Sequence, residues 1–422
     1  MTGAAPRPYP AALEAVLALA AERATSAESV PLEQALGRAL AAPVTAPLAL
    51  PPWDNAGMDG YAVRRADVVG ASAEAPVRLA VIGTGAAGAD PQALPTVRLG
   101  TAVRIMTGAP LPPGADAVVR VEDTDRGEVQ VAIHDARDLA GRGNVRPAGE
   151  ECRAGDVVFA AGTSLSSAHL GVLASLGHAT VAVHGAPRVT VVSGGDELVL
   201  LDRFGEVLAG RRIVSSSSYA LPALLRQAGA QVTVAPLVPD TLDAMVAALE
   251  QALAAGCDLL VTTGGVSVGA HDHVRDAVAR LGGTQHFWRA RIRPGGPIGT
   301  GEVGGVPWLG LPGNPVSTLV TATLFARPLL RAVGGHAHRA LPAVPVVMRD
   351  EADTPAPLTY FLRVRVGAGE DGHLEARLAG AQGSNLLRSM AEAHALLMVP
   401  ESVVQVAPDS VHTALLLPDA AW

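Results

Sequence analysis

Apolar positions recur at helical spacing over Pro10–Ala24 and again, more briefly, over Leu32–Ala42. A proline-rich crossing at Ala42–Trp53 then ends the helical region, because proline removes a backbone donor and biases the residue before it away from helix. From Tyr61 to His134 the apolar runs are short and are separated by Gly, Pro and Asp. Val77–Ile82, Thr101–Met106, Ala117–Val121 and Val129–Ile133 are predicted strands of a small β-rich domain. The turn-rich passage Gly141–Gly155 leads into a predicted strand at Val157–Ala160 and a helix at Ser164–Leu176.

The pattern changes after Pro187. Extended runs at Val189–Ser193, Val232–Ala235, Leu259–Thr263 and Pro307–Leu311 alternate with helical ones at Tyr219–Ala228, Thr241–Ala255, His271–Leu281 and Pro315 to about Leu330. Such alternation means βαβ units and a mostly parallel sheet. Beyond Leu341 the runs are strands again: Val344–Met348, Thr359–Val366, Leu374–Leu378, Leu396–Val399 and Val411–Leu417, a small C-terminal β domain.

Composition narrows the chemistry. A chain of 422 residues needs several cores, and 49% hydrophobic with 17% charged residues excludes disorder. A net charge of -8 gives no global reason to bind nucleic acid. Every one of the 32 basic residues is arginine, so no Schiff base or lysine general base exists, and an anion clamp must use Arg, backbone N–H or a metal. Cys152 and Cys257 stand far apart and suit a reducing compartment; the apolar N-terminal run carries Glu14 and has no basic cluster before it, unlike a signal peptide. Leu319–Val333 is cut by Arg327, Pro328 and Arg331, so no membrane span is expected.

Three predicted strands end in unusual turns: TVVSGGDEL at Thr190–Leu198, LLVTTGGVSVG at Leu259–Gly269 and WLGLPGNPVS at Trp308–Ser317. Parallel sheets place ligands beyond the carboxyl ends of their strands, so the three should meet in one crevice. Paired glycines let backbone N–H groups face an anion; Asn314 can cap the following helix, with Pro315 in its first turn, making a phosphate seat. Asp196, Glu197 and Asp272 beside such a seat would repel phosphate unless a cation such as Mg²⁺ lies between. Asp272 also suits a helix start, and Asp240 suits the N-cap of Thr241–Ala255. In FWRARIRPGGP, Arg289, Arg291 and Arg293 alternate along an extended chain, either as one basic face for a phosphate or oxyanion or as a solvated edge strand. The loop PPWDNAGMDGYAV, with Asp54, Asn55 and Asp59, is costly chemistry for a linker, although Asp, Asn and Gly also simply make turns. RIMTGAPLPPGAD follows a strand with a Gly/Pro loop that carries Thr107, and neither segment alone marks a catalytic site.

With these segments in view, the chain resembles the molybdopterin molybdenumtransferase family, called MoeA in bacteria and represented by the gephyrin E domain in animals. The resemblance covers nearly the whole chain. It rests on Pro51–Val63, Arg104–Val119, GNVRPAGEECRAGD at Gly143–Asp156, SGGDEL at Ser193–Leu198, TTGGVSVGAHD at Thr262–Asp272 and GLPGNPVS at Gly310–Ser317. It implies a multidomain α/β plus β protein: a discontinuous linker domain at 1–50 with 141–186, a β-rich domain at 51–140, an α/β ligand-binding domain at 187–335 and a barrel-like C-terminal β domain at 340–422. It implies a cytoplasmic enzyme that inserts molybdenum from molybdate into adenylylated molybdopterin and releases AMP with Mg²⁺. The family's homodimer sets the cleft between the α/β domain of one subunit and the β-rich domain of the other, and molybdopterin adenylyltransferase would act upstream.

Carried over residue by residue, the resemblance puts the catalytic positions on Asp59, Thr107, Glu197 and Asp272, with Asp59, Glu197 and Asp272 also as metal positions. Ligand contacts fall on Gly194, Gly195, Ser215, Asp240, Gly264, Gly265, Ser267, Arg293, Pro312, Gly313, Asn314 and Pro315. Two departures stand out. The family's usual K-P-G-K-P is RPGGP here, so Arg293 keeps a charge and Gly296 loses one. The Asp and Asn of its I-Y-D-x-N turn are Ser215 and Ser217. The alternatives are a non-catalytic molybdopterin-binding or scaffold homologue with the same cleft, and an enzyme acting on another nucleotide-linked substrate.

Overall fold

β-branched residues on both faces make the runs Arg188–Ser193, Leu259–Thr263 and Val306–Leu311 suited only to the middle of a covered sheet, and all but the end residues are buried. In the computed structural model, which describes residues 5–139, 141–265, 273–370 and 372–418, they form the centre of a six-stranded sheet. Its order is Gln231–Val234, Arg188–Ser193, Leu259–Thr263, Val306–Leu311, Pro297–Val303 and Thr284–Arg289. The first four strands run parallel; the last two add an antiparallel edge.

The chain divides into two units, 1–42 with 161–166 and 180–422, and 43–160 with 167–179. In the first unit, helices Ser217–Gln227 and Pro315–Thr321 help cover one face of the sheet, and Leu242–Ala255 with His273–Arg280 cover the other. The helix from Pro315 continues through a π-helical stretch, Ala322–Ala326, into Arg327–Val333; the wider turn lies just ahead of Pro328, which has no N–H to return to the ladder. By length and composition Pro315–Val333 could cross a membrane, but 83% of its apolar window is buried inside this fold, which makes it a core helix. The N-terminal helix is shorter than its pattern predicts, Tyr9–Ala18, and puts Ala12 and Val16 into the same core. Tyr9 meets Phe325 and Phe361 edge-on, with ring centroids 5.8 and 4.9 Å apart.

The helix expected at Leu32–Ala42 does not form. Only a 3₁₀ turn, Leu32–Gln34, is present. Gly37 N–H donates to Leu165 O, Leu40 N–H to Thr163 O, and His184 N–H to Ala39 O, so strand-like bonds to neighbouring chain replace the helical ladder.

In the C-terminal region, Thr359–Ala368, Leu374–Leu378, Ala343–Met348, Val411–Leu416 and Ala395–Val399 pair in that order, and the last pairs back to the first. Five strands therefore close a barrel, which removes its open edges and encloses Met348, Val364, Leu397 and Ala414. Short Ile292–Arg293 joins it outside, beside Thr359–Tyr360.

The second unit holds a five-stranded sheet ordered Ala117–Arg120, Gly60–Val63, Thr101–Ile105, Val77–Gly85 and Gln130–Ile133. Gly60–Val63, the end of a segment that reads as a loop, is an inner strand. A Cβ on Gly60 would lie 1.8 Å from Val119 O, so the tight Asp59–Gly60 entry needs glycine there.

Candidate functional site

The three central parallel strands end level with one another, since Ser193 pairs with Thr263 and Thr263 with Leu311. Their following turns line one cavity of about 680 Å³. Beneath it the polar atoms are satisfied: Thr263 Oγ1 donates to Ser193 Oγ at 2.9 Å, and Trp308 Nε1 donates to Thr262 Oγ1 at 3.1 Å. The turns approach closely. A Cβ on Gly264, whose φ is +79°, would lie 3.3 Å from Gly194 O.

Gly194, Gly195, Glu197, Ser215, Asp240, Gly264, Gly265, Pro312, Gly313, Asn314 and Pro315 all line this cavity. Gly195 has φ +145°, and a Cβ there would lie 2.7 Å from Glu197 Oε2, so glycine makes the room that the carboxylate occupies. Glu197 itself is exposed. Asp240 does not cap the next helix: Thr241 does, with Oγ1 accepting from Ala244 N–H at 3.3 Å. Asp240 instead exchanges bonds with Asp196. Asp196 N–H donates to Asp240 Oδ2 at 3.0 Å, and Asp240 N–H donates to Asp196 Oδ1 at 3.2 Å. The pair ties the first glycine turn to the start of the next helical segment.

Asn314 stands at the N-cap position with Pro315 in the first turn, but its side chain makes no capping bond. Its Nδ2 donates to Ser384 Oγ at 3.3 Å. Thr318 supplies the brace, with Oγ1 2.6 Å from Pro312 O. The serines that depart from the expected turn are both buried: Ser215 Oγ lies 2.7 Å from Ser218 Oγ, and Ser217 Oγ donates to Thr318 Oγ1 at 3.5 Å. Ser216, Ser317 and Asn385 also line the cavity, and sequence reasoning missed them. The serines lay inside recognised motifs; nothing local marked Asn385, which reaches the cavity from the barrel region.

Arg293 does not line this cavity. It borders a second one of about 510 Å³, where its guanidinium carbon lies 5.8 Å from the Tyr360 ring centre. The single basic face expected of Arg289, Arg291 and Arg293 does not form. The Thr284–Arg289 strand stops there, Arg7 pairs with Ala290, and Arg291 is held by Glu401 at 2.9 Å. Buried Arg363 in the second cavity donates to Ala381 O, Gly383 O and Ser389 Oγ at 3.1 to 3.2 Å. Among the described residues no arginine lines the main cavity, and the donors it offers an anion are backbone N–H groups and side-chain hydroxyls and amides.

In the second unit, Asp59 and Thr107 are partners. Asp59 Oδ1 accepts the Thr107 N–H at 2.6 Å and its hydroxyl at 2.8 Å. These two bonds, the backbone one foremost, hold the Asp59 carboxyl below the ordinary carboxylate range. Both end on Oδ1, and Oδ2 has no bonded partner among the described residues. Ser267 and Asp272 lie outside the described residues. Among the described residues no group of three or more His, Cys, Asp or Glu side chains gathers as a metal cage.

A doubly covered α/β sheet with a glycine-turn crevice at its strand ends, in a chain that also carries a β barrel and a β-rich unit, defines a multidomain α/β plus β protein. Residues 7–177 match the MoeA N-terminal region (domain I and II), residues 190–332 a probable molybdopterin binding domain, and residues 345–411 the MoeA C-terminal region (domain IV). The chain is 40% identical over 392 residues to molybdopterin molybdenumtransferase 2 of Mycobacterium tuberculosis, covering 91% of this chain and 94% of that one. It is 36% identical to the molybdopterin molybdenumtransferase of Nostoc sp., over 88% of this chain and 85% of the relative. The crystal structure of the molybdopterin biosynthesis moeA protein from Pyrococcus horikoshii superposes with a TM-score of 0.81 at 27% identity, covering 98% of this chain and 100% of that chain. The chain belongs to the MoeA family.

Proposed function

We propose that this protein is a molybdopterin molybdenumtransferase, which inserts molybdenum from molybdate into adenylylated molybdopterin and releases AMP. The supporting observation is the 680 Å³ cavity built by three glycine-containing turns in a chain of this family. Its hydroxyls and backbone donors suit phosphoryl oxygens, and no side chain in it needs to act as a covalent nucleophile. Two of its carboxylates, Glu197 and Asp240, fit a cation that shares its shell with phosphate and water, as Mg²⁺ prefers, rather than a closed protein cage. Bound there, Mg²⁺ would offset charge on the anhydride oxygens. The chain's own part is to hold the anhydride against the turns with Glu197 beside it.

The working form in this reading is a cytoplasmic homodimer, with molybdopterin adenylyltransferase supplying the substrate. Both cysteines are free thiols, which suits a reducing compartment. By the family resemblance, the Asp59 and Thr107 of a second chain would join the reaction in that dimer. Mixing Asp59→Ala chains with Glu197→Ala chains should then restore part of the activity, and a fully active monomer of 42.8 kDa would remove the dimer from this reading. The direct test incubates the purified protein with adenylylated molybdopterin, molybdate and Mg²⁺ and measures AMP and molybdenum cofactor together. Binding with neither product would leave the non-catalytic pterin-binding reading in its place.

A further inference from the structure

The turn at Gly383–Leu386 is held from both sides. Inside the barrel region, Gln382 Oε1 accepts the Arg363 N–H at 2.8 Å, and the Arg363 guanidinium donates to Ala381 O and Gly383 O at 3.2 and 3.1 Å. Arg363 is 1% exposed, so these bonds are shielded from water and fix the loop firmly. On the cavity side, Ser384 O accepts the Val316 N–H at 3.1 Å, and Ser384 Oγ accepts from Asn314 Nδ2. The next residue, Asn385, lines the main cavity, and among the described lining residues it alone comes from the region beyond Ser317.

The two carboxamides at the cavity differ in state. Asn314 spends its amide on Ser384. Asn385 is exposed at the cavity, and its carboxamide has no hydrogen-bond partner among the described residues, although the backbone beneath it is clamped on both sides. The rest of the lining is glycine, hydroxyl, carboxylate and apolar, good for phosphate but poor for a heterocycle edge. A carboxamide presents one acceptor and two donors in a plane, the complement of a nitrogen heterocycle that offers a ring nitrogen beside an exocyclic amine.

We infer that Asn385 is a specificity residue that reads the hydrogen-bonding edge of the ligand's nitrogen heterocycle, with Arg363 and Ser384 as positioning residues that hold it at the cavity. This inference rests on the transferase reading for the identity of the ligand. Adenine and pterin both carry the required edge, so the proposal covers either heterocycle at Asn385.

The test compares the wild-type protein with Asn385→Ala in the full chain, using AMP, molybdopterin and ribose 5-phosphate as separate equilibrium-binding probes. Losing two hydrogen bonds to one edge should weaken one heterocyclic probe by about tenfold or more, while ribose 5-phosphate, which has no heterocycle, keeps its affinity. Loss confined to AMP assigns adenine to Asn385; loss confined to molybdopterin assigns pterin. Equal weakening of all three probes means that the substitution has loosened the Ser384 clamp on the phosphate turn, and it overturns the specificity role. Unchanged affinity for all three overturns it as well. Failure of the transferase reading shows separately, as a wild-type protein that binds the probes but forms no AMP from adenylylated molybdopterin.

Discussion

Acid should destabilise the first unit through His336. This imidazole is 5% exposed, and its Nδ1 lies 2.7 Å from Ser164 Oγ, which also accepts from Arg331 at 2.9 Å. Arginine can only donate, so the serine proton is left for Nδ1 and the ring is the neutral Nε2–H form. Protonation would remove that acceptor and add a positive charge among Arg331, Arg327, His184 and Arg38. Burial first, then those neighbours, pushes the pKa down to about 4 from the usual 6.5. The folded value lies below the unfolded one, so the stabilisation is complete above pH 6.5 and is lost as pH falls toward 4. At about 1.4 kcal/mol per pH unit the loss is roughly 1.4 kcal/mol by about pH 5.5 and about 3 kcal/mol by about pH 4. Denaturant unfolding, followed by fluorescence of buried Trp308 from about pH 7.5 to about pH 4, measures it. His336→Asn, with no titrating ring, should be less stable at neutral pH and converge on the wild type in acid. Curves that stay parallel over that range would falsify the buried neutral histidine.

Glu197→Gln should cut AMP release by about 10²–10³, equivalent to about 3–4 kcal/mol of transition-state contact, while metal-free binding of adenylylated molybdopterin holds or tightens. A near-normal rate with unchanged Mg²⁺ dependence would remove Glu197 from the site. Thr107→Val deletes one of the two bonds to Asp59 and should raise the carboxyl pKa part of the way back, because the stronger N–H bond remains. Carboxyl NMR titration reads this directly, and Asp59 should stay ionised at neutral pH in both proteins; an unmoved midpoint would mean the hydroxyl contact is absent in solution.

Much of the fold was legible because its signals are local. The runs Leu259–Thr263 and Leu374–Leu378 occupy the same residues in structure as in pattern, and the crevice turns announced themselves through paired glycines after β-branched runs. What the sequence hid was set by long-range bonds. Leu32–Ala42 has helical spacing, yet its backbone donors are taken by chain 120 to 150 residues away, and Gly60–Val63 looks like loop because its neighbours on both sides are turns. Arg293 was placed at the cleft by its spacing and motif; it turns instead toward Tyr360, a partner that only the barrel brings near. Asn385 is the reverse case, an ordinary turn residue until barrel closure delivers it to the cavity.

The RPGGP departure can be decided on the same physical ground. Its two glycines are not equivalent. Gly295 has φ +96°, and a Cβ there would lie 2.3 Å from Thr321 Cγ2, so any side chain strains both backbone and core. Gly296 has no left-handed φ, and its nearest atoms to a Cβ are Ile292 O at 3.3 Å and Ala290 O at 3.5 Å, a fit that a small shift relieves. It sits between Arg293 and Pro294, which border the second cavity, and Pro297, which borders the first. The chain therefore lacks a charge at Gly296 without being barred from one. Gly296→Lys should fold with a melting temperature close to wild type, whereas Gly295→Lys should be clearly destabilised. One added cation at a partly solvated site is worth about 1 kcal/mol toward a nearby anion, or roughly fivefold. The molybdate concentration for half-maximal cofactor formation should fall by that factor in Gly296→Lys and rise again with salt. A well-folded Gly296→Lys protein with unaltered molybdate dependence would mean that the lost charge never faced the oxyanion, and that RPGGP serves the cleft through its backbone alone.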